Sequence, residues 1–290
     1  MTARVLTSAT EAGSVCAVAG RCQRDLLGWM AAYPGLFSAA PFDAGLAGTL
    51  GMAMAFSGPW FGAAELRMAN KASLWAFGLD WLADYVATSA GEVDAVAERC
   101  LAVAGGGAPA EGDELGVFLA EIRAGLAATP SYPWLGPVWR DELRAMLEGM
   151  RRERAWRDAG TVPSFEEYLG NAANLGFTFA FTAHLLHTGG VERPGDLGPV
   201  LAAAAEVQRV IRLLNDLGTY ERDVEWGDLN ALFLGVPRAE VERRVAGLAA
   251  RARDLIAALR PGLPRVADYL ERQMDFCAGF YSAGDYWGSL

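Results

Sequence analysis

Lysine, cysteine and strand-forming patterns are scarce in this chain. Lys71 is the single lysine among 290 residues, and all other basic side chains apart from two histidines are arginines. The net charge is −10 and the pI is about 4.8, which argues against a nucleic-acid partner because nucleic-acid-binding proteins carry a basic face. Four cysteines without a C-x-x-C pair exclude a disulfide framework and a zinc ribbon, so we expect a reducing, cytoplasmic compartment.

Convincing membrane-spanning segments are also missing. Two uncharged runs, residues 44–64 and 169–190, reach the roughly 20 residues that a membrane span requires. The first run contains five glycines and Pro59, and the second contains two asparagines and two histidines. We therefore expect no integral membrane helix, and we interpret both runs as buried helices around a large cavity.

The patterns that are present predict an all-α protein. Hydrophobic residues recur at three- and four-residue spacing, as in residues 141–154, which is the period of an amphipathic helix. Ser164 followed by Glu167 forms a capping box, so a helix is expected to begin after Ser164. Stretches rich in glycine and proline separate the helical segments. We predict one domain of roughly ten helices over residues 1–290.

The first candidate site lies in the segment WAFGLDWLADY, which begins at Trp75. Asp80 and Asp84 are four residues apart, so they project from one face of a helix. The residues before them are largely hydrophobic, which indicates a buried helix where two carboxylates repel each other unless a cation lies between them. One helical turn places Phe77 and Trp81 near the aspartates, and aromatic faces can stabilise a cation. A solvated helix end is the alternative for the two carboxylates.

The second candidate site is a strip of oxygen ligands in the segment RVIRLLNDLGTYERDVEWGDLNAL, which begins at Arg209. Asn215, Thr219 and Asp223 follow one another at four-residue spacing, so they lie within about 80° on one helix face and about 6 Å apart along it. An amide, a hydroxyl and a carboxylate suit Mg²⁺, which prefers oxygen ligands and retains waters that a phosphate can replace. Arg212, one turn earlier, extends this face toward a phosphate.

The two motifs together resemble those of the class I terpene synthases. The pattern N-D-x-x-T-x-x-x-D from Asn215 resembles the second metal motif of that family, and D-x-x-x-D from Asp80 resembles its aspartate-rich motif. Residues 163–176, PSFEEYLGNAANLG, are similar to the helix that breaks beneath the family's pocket. Residues 280–287, FYSAGDYW, are similar to its C-terminal tyrosine-bearing segment. The resemblance spans roughly residues 70–288.

This resemblance implies an α-helical bundle around a central cavity and a metal-dependent reaction. It implies three Mg²⁺ ions, held by Asp80, Asp84, Asn215, Thr219 and Asp223. It also implies that Arg212 and Arg222 hold the diphosphate of a prenyl diphosphate substrate, which departs as pyrophosphate. The expected catalytic residues are Asp80, Asp84, Asn215, Phe77 and Trp81.

Four positions depart from the family pattern. Trp81 occupies the second aspartate position of the first motif, and Asp223 replaces a glutamate that is one methylene longer. The arginine that senses pyrophosphate in the family would fall at Ala172 if Gly176 is the helix-break glycine. Phe280 replaces the arginine that precedes the C-terminal tyrosine. Binding of the diphosphate is therefore expected to depend more on the metal ions and on Arg212 and Arg222.

The tracts EWGDLNAL and YLGNA resemble labdane-type diterpene cyclases, including the kaurene-synthase-like enzymes. They favour a C20 substrate, either geranylgeranyl diphosphate or a bicyclic copalyl-type diphosphate. A C15-specific sesquiterpene synthase is one enzymatic alternative. Another is a prenyl-coupling synthase on the same fold, which would need two complete aspartate-rich motifs where this chain has Asn215 and Thr219. A helical binding or regulatory protein is the non-enzymatic alternative, and the sequence leaves a homodimer open.

Overall fold

Helices account for all the regular structure in residues 8–288, the part of the chain that this computed structural model describes. Its twelve α-helices are α1 (Ser8–Ala32), α2 (Pro34–Phe37), α3 (Ala44–Ser57), α4 (Ala63–Trp81), α5 (Ala90–Ala104), α6 (Glu114–Ala127), α7 (Tyr132–Ala159), α8 (Phe165–Gly170), α9 (Phe177–Thr188), α10 (Pro194–Trp226), α11 (Arg238–Leu259) and α12 (Pro264–Tyr281). The all-α prediction is confirmed. The predicted number of helices, roughly ten, was slightly low because α2 and α8 are only four and six residues long.

Side-chain caps fix where several helices begin. The predicted capping box is present at α8, where the Ser164 hydroxyl accepts from the Glu167 amide at 3.3 Å and the Ser164 amide donates to Glu167 Oε2 at 2.9 Å. Asp43, Ser89 and Asp113 cap α3, α5 and α6 in the same way, each accepting a hydrogen bond from a backbone amide of the first turn. These contacts satisfy amide donors that have no partner within the helix.

Two irregular turns carry residues toward the centre of the molecule. The end of α4 continues as a π-helical turn, Leu82–Val86, which contains Asp84. Between α8 and α9 lie a 3₁₀ turn, Ala172–Leu175, and Gly176, whose φ is +74°. A Cβ atom at Gly176 would lie 2.7 Å from Met146 Sδ. Only glycine therefore meets both the backbone conformation and the close approach of α7 at this helix break.

The helices pack around a central cavity, as the resemblance implied. One hydrophobic core lies mainly between α1, α4, α6 and α7, and a second lies mainly between α9, α10, α11 and α12. The two uncharged runs noted in the sequence contribute buried side chains from α3 and α9 to the cavity wall. Within residues 8–288, no helix combines the length and the hydrophobicity that a membrane crossing requires.

Candidate active site

The cavity between α3, α4, α7, α9, α10 and α12 has a charged end and a largely apolar end. The charged end carries Asp80, Asp84, Tyr85, Glu153, Arg157, Arg212, Asn215, Arg222, Asp223 and Asp228. The apolar end is lined by Leu50, Met54, Phe177, Ala180, Phe181, Tyr269, Gln273 and Cys277. Such a division suits a ligand with a charged or polar head and a long hydrocarbon body, because each part meets groups of matching polarity.

The α4 wall of the charged end holds both aspartates of the first motif. Burial and then the neighbouring Asp84 raise the pKa of Asp80 well above its usual range. Burial also raises the pKa of Asp84 to about 6, although the nearby Arg157 guanidinium opposes this increase. Arg157 Nη2 lies 2.8 Å from Asp84 Oδ1. The crowding of carboxylates raises the free energy of their ionised forms, and a cation would relieve it.

Sequence reasoning missed Arg157, although a signal for it was present. Met146, Met150, Glu153 and Arg157 recur at four-, three- and four-residue spacing and lie on one face of α7. Met150, Glu153 and Arg157 all line the cavity. The hydrophobic stripe recognised in residues 141–154 thus continues into the site as a polar stripe. Because α7 contains several other arginines, the sequence alone does not show which arginine faces the cavity.

The α10 wall holds the second motif as one connected strip. The Thr219 hydroxyl lies 2.9 Å from the Asn215 carbonyl oxygen and 2.6 Å from Asp223 Oδ2. Asp223 also accepts hydrogen bonds from Arg222 Nη2 at 2.9 Å and from Asn230 Nδ2 at 2.8 Å. Asn215 and Asp223 line the cavity, whereas Thr219 is buried between them. These contacts fix the Thr219 hydroxyl and the Asp223 carboxylate, and they join Thr219 to the main chain of Asn215.

A close approach of α12 supports this strip. A Cβ atom at Gly218 would lie only 2.6 Å from the Tyr281 carbonyl oxygen, so a glycine is needed for α10 and α12 to approach this closely. Burial raises the pKa of Tyr281, and the neighbouring Asn215 side chain opposes this increase. The C-terminal tyrosine segment noted in the sequence therefore lies beside the first residue of the second motif.

Arg212 lines the cavity, but most of its hydrogen bonds go to protein groups. Nε donates to the Tyr168 hydroxyl at 2.7 Å, and Nη2 donates to Glu153 Oε1 at 3.0 Å and to the Leu229 carbonyl oxygen at 3.2 Å. The Tyr168 hydroxyl in turn donates to Asp216 Oδ1 at 2.7 Å. These contacts orient a buried guanidinium and fix α8 against α10.

Arg222 links the second motif to the C-terminal segment. Its Nη1 atom lies 3.0 Å from Asp285 Oδ2, while Nη2 binds Asp223. The segment after α12 then places Tyr286 and Trp287 in the cavity wall. Neither Asp285 nor this ion pair was identified from the sequence, because the partners are more than 60 residues apart.

Asp228 is a further carboxylate that sequence reasoning missed. It follows α10 and lines the charged end, where Oδ2 accepts a short hydrogen bond from the Tyr85 hydroxyl. Its Oδ1 atom is buried and accepts no hydrogen bond from the described part of the chain. Burial raises the pKa of Asp228. The tract EWGDLNAL therefore contributes directly to the charged end, with its aspartate facing the α4 wall.

The aromatic residues predicted near the motifs separate into two groups. Those that line the cavity are Phe77, Phe177, Phe181, Tyr281 and Trp287. Those that pack in the core behind it are Trp75, Trp81 and Phe179. Trp81 is not among the cavity-lining residues of the described chain, and its ring packs against Phe42, Tyr85 and Trp287. Trp81 follows Asp80 by one residue, so its side chain is turned about 100° from that of Asp80.

Comparison with known proteins decides the family. Residues 71–236, more than half of the chain, match the family model "Terpene synthase family 2, C-terminal metal binding". The chain belongs to the terpene synthase family. The matched range includes both motifs and both walls of the charged end. The synthase is therefore a terpene cyclase of the lyase class, and a binding or regulatory protein without catalytic activity is excluded.

Individual relatives agree with this assignment. The synthase is 32% identical over 286 residues to ent-pimara-9(11),15-diene synthase of Streptomyces sp. strain KO-3988. The match covers 94% of this chain and 93% of the relative. Its fold is similar to 2-methylisoborneol synthase of Streptomyces coelicolor A3(2), solved with Mg²⁺ and 2-fluoroneryl diphosphate. That match has a TM-score of 0.76 and 18% identity, and it covers 94% of each chain. A variant of the reconstructed ancestral protein SVS_A2 has a TM-score of 0.79 and 18% identity over 92% of this chain and 85% of its own.

The charged end of the synthase provides suitable donors for the divalent metal that the family model implies. No three histidine, cysteine or acidic side chains within residues 8–288 already converge on one point. Instead, carboxylate and amide oxygens lie on the α4 and α10 walls, and the Thr219 hydroxyl is buried beside Asp223. These are the hard ligands that Mg²⁺ prefers. The Oδ1 atom of Asp228, which accepts no hydrogen bond within residues 8–288, adds a buried acceptor. This donor set fits a hard divalent cation and does not fit zinc, which favours nitrogen and sulfur ligands.

Proposed function

We propose that this terpene synthase is a Mg²⁺-dependent class I cyclase. It ionises an allylic C20 diphosphate, either geranylgeranyl diphosphate or a bicyclic copalyl-type diphosphate, cyclises the carbocation and releases pyrophosphate. The observation that carries the C20 assignment is the 32% identity to ent-pimara-9(11),15-diene synthase over 94% of the chain. A pimaradiene is a C20 hydrocarbon, and a likeness of nearly full length includes the whole cavity wall.

The charged end would bind the diphosphate through metal ions. Asp80 and Asp84 on one wall, and Asn215, Thr219 and Asp223 on the other, are the proposed Mg²⁺ ligands. Bound Mg²⁺ would supply Lewis-acid stabilisation of the leaving pyrophosphate. Two oxygen-rich walls that face each other are suited to hold ions between them.

Arginines would bind the phosphate oxygens that the metal ions leave uncovered. Arg222 and Arg157 line the cavity, each beside a proposed metal ligand. We propose that they donate charge-assisted hydrogen bonds to the diphosphate. Arg212 adds positive charge from a position fixed by Tyr168 and Glu153. These arginines would replace the two family arginines whose positions are occupied here by Ala172 and Phe280.

The apolar end would bind the hydrocarbon and exclude water from the carbocation. Phe77, Phe177 and Phe181 line this region. An aromatic face near a cation contributes about 0.5–2 kcal/mol. Phe177 and Phe181 are stacked with centroids 5.8 Å apart, and Tyr269 extends the stack at 5.7 Å from Phe181. The continuous aromatic surface would stabilise positive charge as it moves along the substrate.

One incubation series tests this function. The purified protein is incubated separately with C10, C15, C20 and bicyclic C20 diphosphates, with Mg²⁺ or with excess chelator. Pyrophosphate release and mass spectra of the hydrocarbon extract are measured. We expect a cyclic C20 product with Mg²⁺ and background turnover in chelator. Cyclic products from C15 diphosphate alone would replace the C20 assignment with the sesquiterpene alternative, and full activity in chelator would refute the metal site. Coupling of two prenyl units would identify a prenyl-coupling synthase.

A further inference from the structure

A chain of buried polar side chains crosses the apolar part of the cavity wall. Ser57, Gln273 and Cys277 are 0%, 4% and 1% exposed, and the latter two line the cavity. The Ser57 hydroxyl lies 2.6 Å from the Gln273 amide, and the other end of that amide lies 3.5 Å from Cys277 Sγ. Burial raises the pKa of Tyr286, and the neighbouring Cys277 raises it further. Burying a carboxamide in an apolar wall costs free energy unless the group is fully hydrogen-bonded. The presence of these hydrogen-bonded side chains in the apolar wall therefore suggests a role beyond packing.

Gln273 lies far from the charged end. Tyr269, Gln273, Cys277 and Tyr281 recur at four-residue spacing on the face of α12 that lines the cavity. Tyr281 lies beside Asn215 at the charged end. With a rise of 1.5 Å per residue, Gln273 lies about 12 Å further along the helix. This separation is long enough to place its amide beside the hydrocarbon of a bound substrate rather than beside the diphosphate.

Two other carboxamides line the cavity in the described part of the chain, and both belong to the charged end. Asn215 is in the second motif. Asn174 donates a hydrogen bond to Glu153. At the apolar end, the groups around Gln273 are mainly hydrocarbon and aromatic. The Tyr269 hydroxyl there donates to Met54 Sδ at 3.4 Å. Gln273 therefore provides the strongest hydrogen-bond acceptor at that end of the wall.

Hydrogen-bond counting fixes which way the amide points. The Ser57 hydroxyl has one hydrogen, yet it lies 2.6 Å from both the Ala53 carbonyl oxygen and the Gln273 amide. If the amide oxygen faces Ser57, one hydrogen must serve two acceptors. With the amide turned by 180°, an exchange that preserves its shape, Ser57 donates to Ala53 and Gln273 Nε2 donates to Ser57. The amide oxygen then accepts from the Cys277 thiol, and each of these hydrogens has one acceptor.

We infer that Gln273 is a specificity-determining residue of the proposed cyclisation. Its amide, held between Ser57 and Cys277, places its oxygen, the negative end of the dipole, at the apolar end of the cavity. This dipole favours carbocation intermediates whose positive charge lies close to it, since electrostatic interactions are strong where water is excluded. Gln273 would therefore select among products without affecting ionisation, which takes place at the charged end. The inference rests on the proposed function, because it requires a carbocation in this cavity.

The test replaces the amide and leaves the charged end intact. Gln273→Leu removes the dipole at similar volume, and Gln273→Asn moves it back by one methylene. Gln208→Leu is the matched control, because Gln208 is also a buried glutamine, but its amide binds Thr178 away from the cavity wall. All variants receive the substrate that the wild-type enzyme uses, and pyrophosphate release, product ratios and melting temperature are measured. For Gln273→Leu we expect pyrophosphate release within about fivefold of wild type and a changed major product. For Gln208→Leu we expect a lower melting temperature with unchanged products.

The outcomes separate this inference from the proposed function. If wild-type protein releases no pyrophosphate from any prenyl diphosphate with Mg²⁺, the proposed function fails. If wild type is active and both Gln273 variants keep its product ratios, the inference is overturned. If Gln273→Leu does not fold, Gln273→Asn and Ser57→Ala decide the question. Ser57→Ala removes the partner that orients the amide, so it should broaden the product mixture, and unchanged ratios in both would refute the role of the dipole.

Discussion

Arg157 and Asp84 form an ion pair across the charged end of the cavity, with 2.8 Å between Nη2 and Oδ1. The pair joins the last turn of α7 to the π-helical turn after α4. Asp228 Oδ1 lies 3.8 Å from the same Nη2 atom. One guanidinium thus faces two carboxylates from different parts of the chain. It is positioned to balance their charge, and under the proposed function it would contact the diphosphate.

Replacing Arg157 by methionine should impair use of the diphosphate. Methionine preserves much of the side-chain volume but removes the charge and the donors, so we expect kcat/KM to fall about 100-fold, or about 2.7 kcal/mol of transition-state stabilisation. Arg157→Lys should restore part of this loss. Arg144→Met is the control, because Arg144 is half exposed on the same helix and pairs with Asp141. Equal kinetics for Arg157→Met and Arg144→Met would show that Arg157 does not contact the substrate.

The leading residue of each motif should be needed for turnover but not for folding. Asp80→Ala and Asn215→Ala should each lower turnover at least about 100-fold, which corresponds to about 2.7 kcal/mol of barrier. Asp80→Ala removes one member of a repelling pair, and alanine is a good helix former, so helical content should persist. Asp254→Ala, at an exposed position on α11, is the control. Circular dichroism and kinetics are measured for each variant. If helical content and activity are lost together, the residue has a structural role instead.

Trp81 should stabilise the fold without selecting products. Its ring packs with three other aromatic rings behind the cavity wall. Trp81→Asp should therefore lower the free energy of unfolding by about 3 kcal/mol, the scale of a large aromatic truncation, and Trp81→Phe should lower it less. Product ratios should stay as in wild type. Phe77→Leu, one turn earlier and in the cavity wall, should show the opposite pattern. A new product profile for Trp81→Phe would contradict this assignment.

His184 should make the protein less stable as the pH falls. Burial lowers the pKa of His184 from 6.5 to about 3, with a smaller effect of His187. Below pH 6.5 the unfolded chain binds a proton at this residue that the folded protein does not bind, so stability decreases until about pH 3. At pH 5 the loss is about 2 kcal/mol.

Urea unfolding from pH 7.5 to pH 5 checks this expectation. His184→Phe keeps a flat ring to pack against Tyr269, whose ring is stacked on His184 at 4.7 Å. Its stability should increase relative to wild type as the pH falls, because it lacks the titrating group. His187→Phe, on the same helix, should follow the wild-type curve. If the wild-type and His184→Phe curves remained parallel, a neutral buried histidine would be ruled out.

Local patterns in the sequence predicted much of the scaffold and the two motifs. The capping box at Ser164 and the spacing of Asn215, Thr219 and Asp223 are properties of single helices, so they can be read without a fold. The orientation of Trp81 could not be predicted in this way. Its distance from Asp80 along the chain was known, but the direction in which it faces depends on where the cavity lies, and that is decided by how α4 packs against its neighbours.

The sequence by itself therefore determined the all-α class, a helix break within residues 163–176 and two sets of candidate oxygen ligands, because each depends on residues within a few turns of one another. Only the tertiary structure brought Arg157 to Asp84, Asp285 to Arg222 and Gln273 to Ser57. These partners are 73, 63 and 216 residues apart. Helical periodicity does not predict contacts between residues so far apart in the chain. The packing of helices from distant parts of the chain decides which of many similar arginines, aspartates and glutamines face the same cavity.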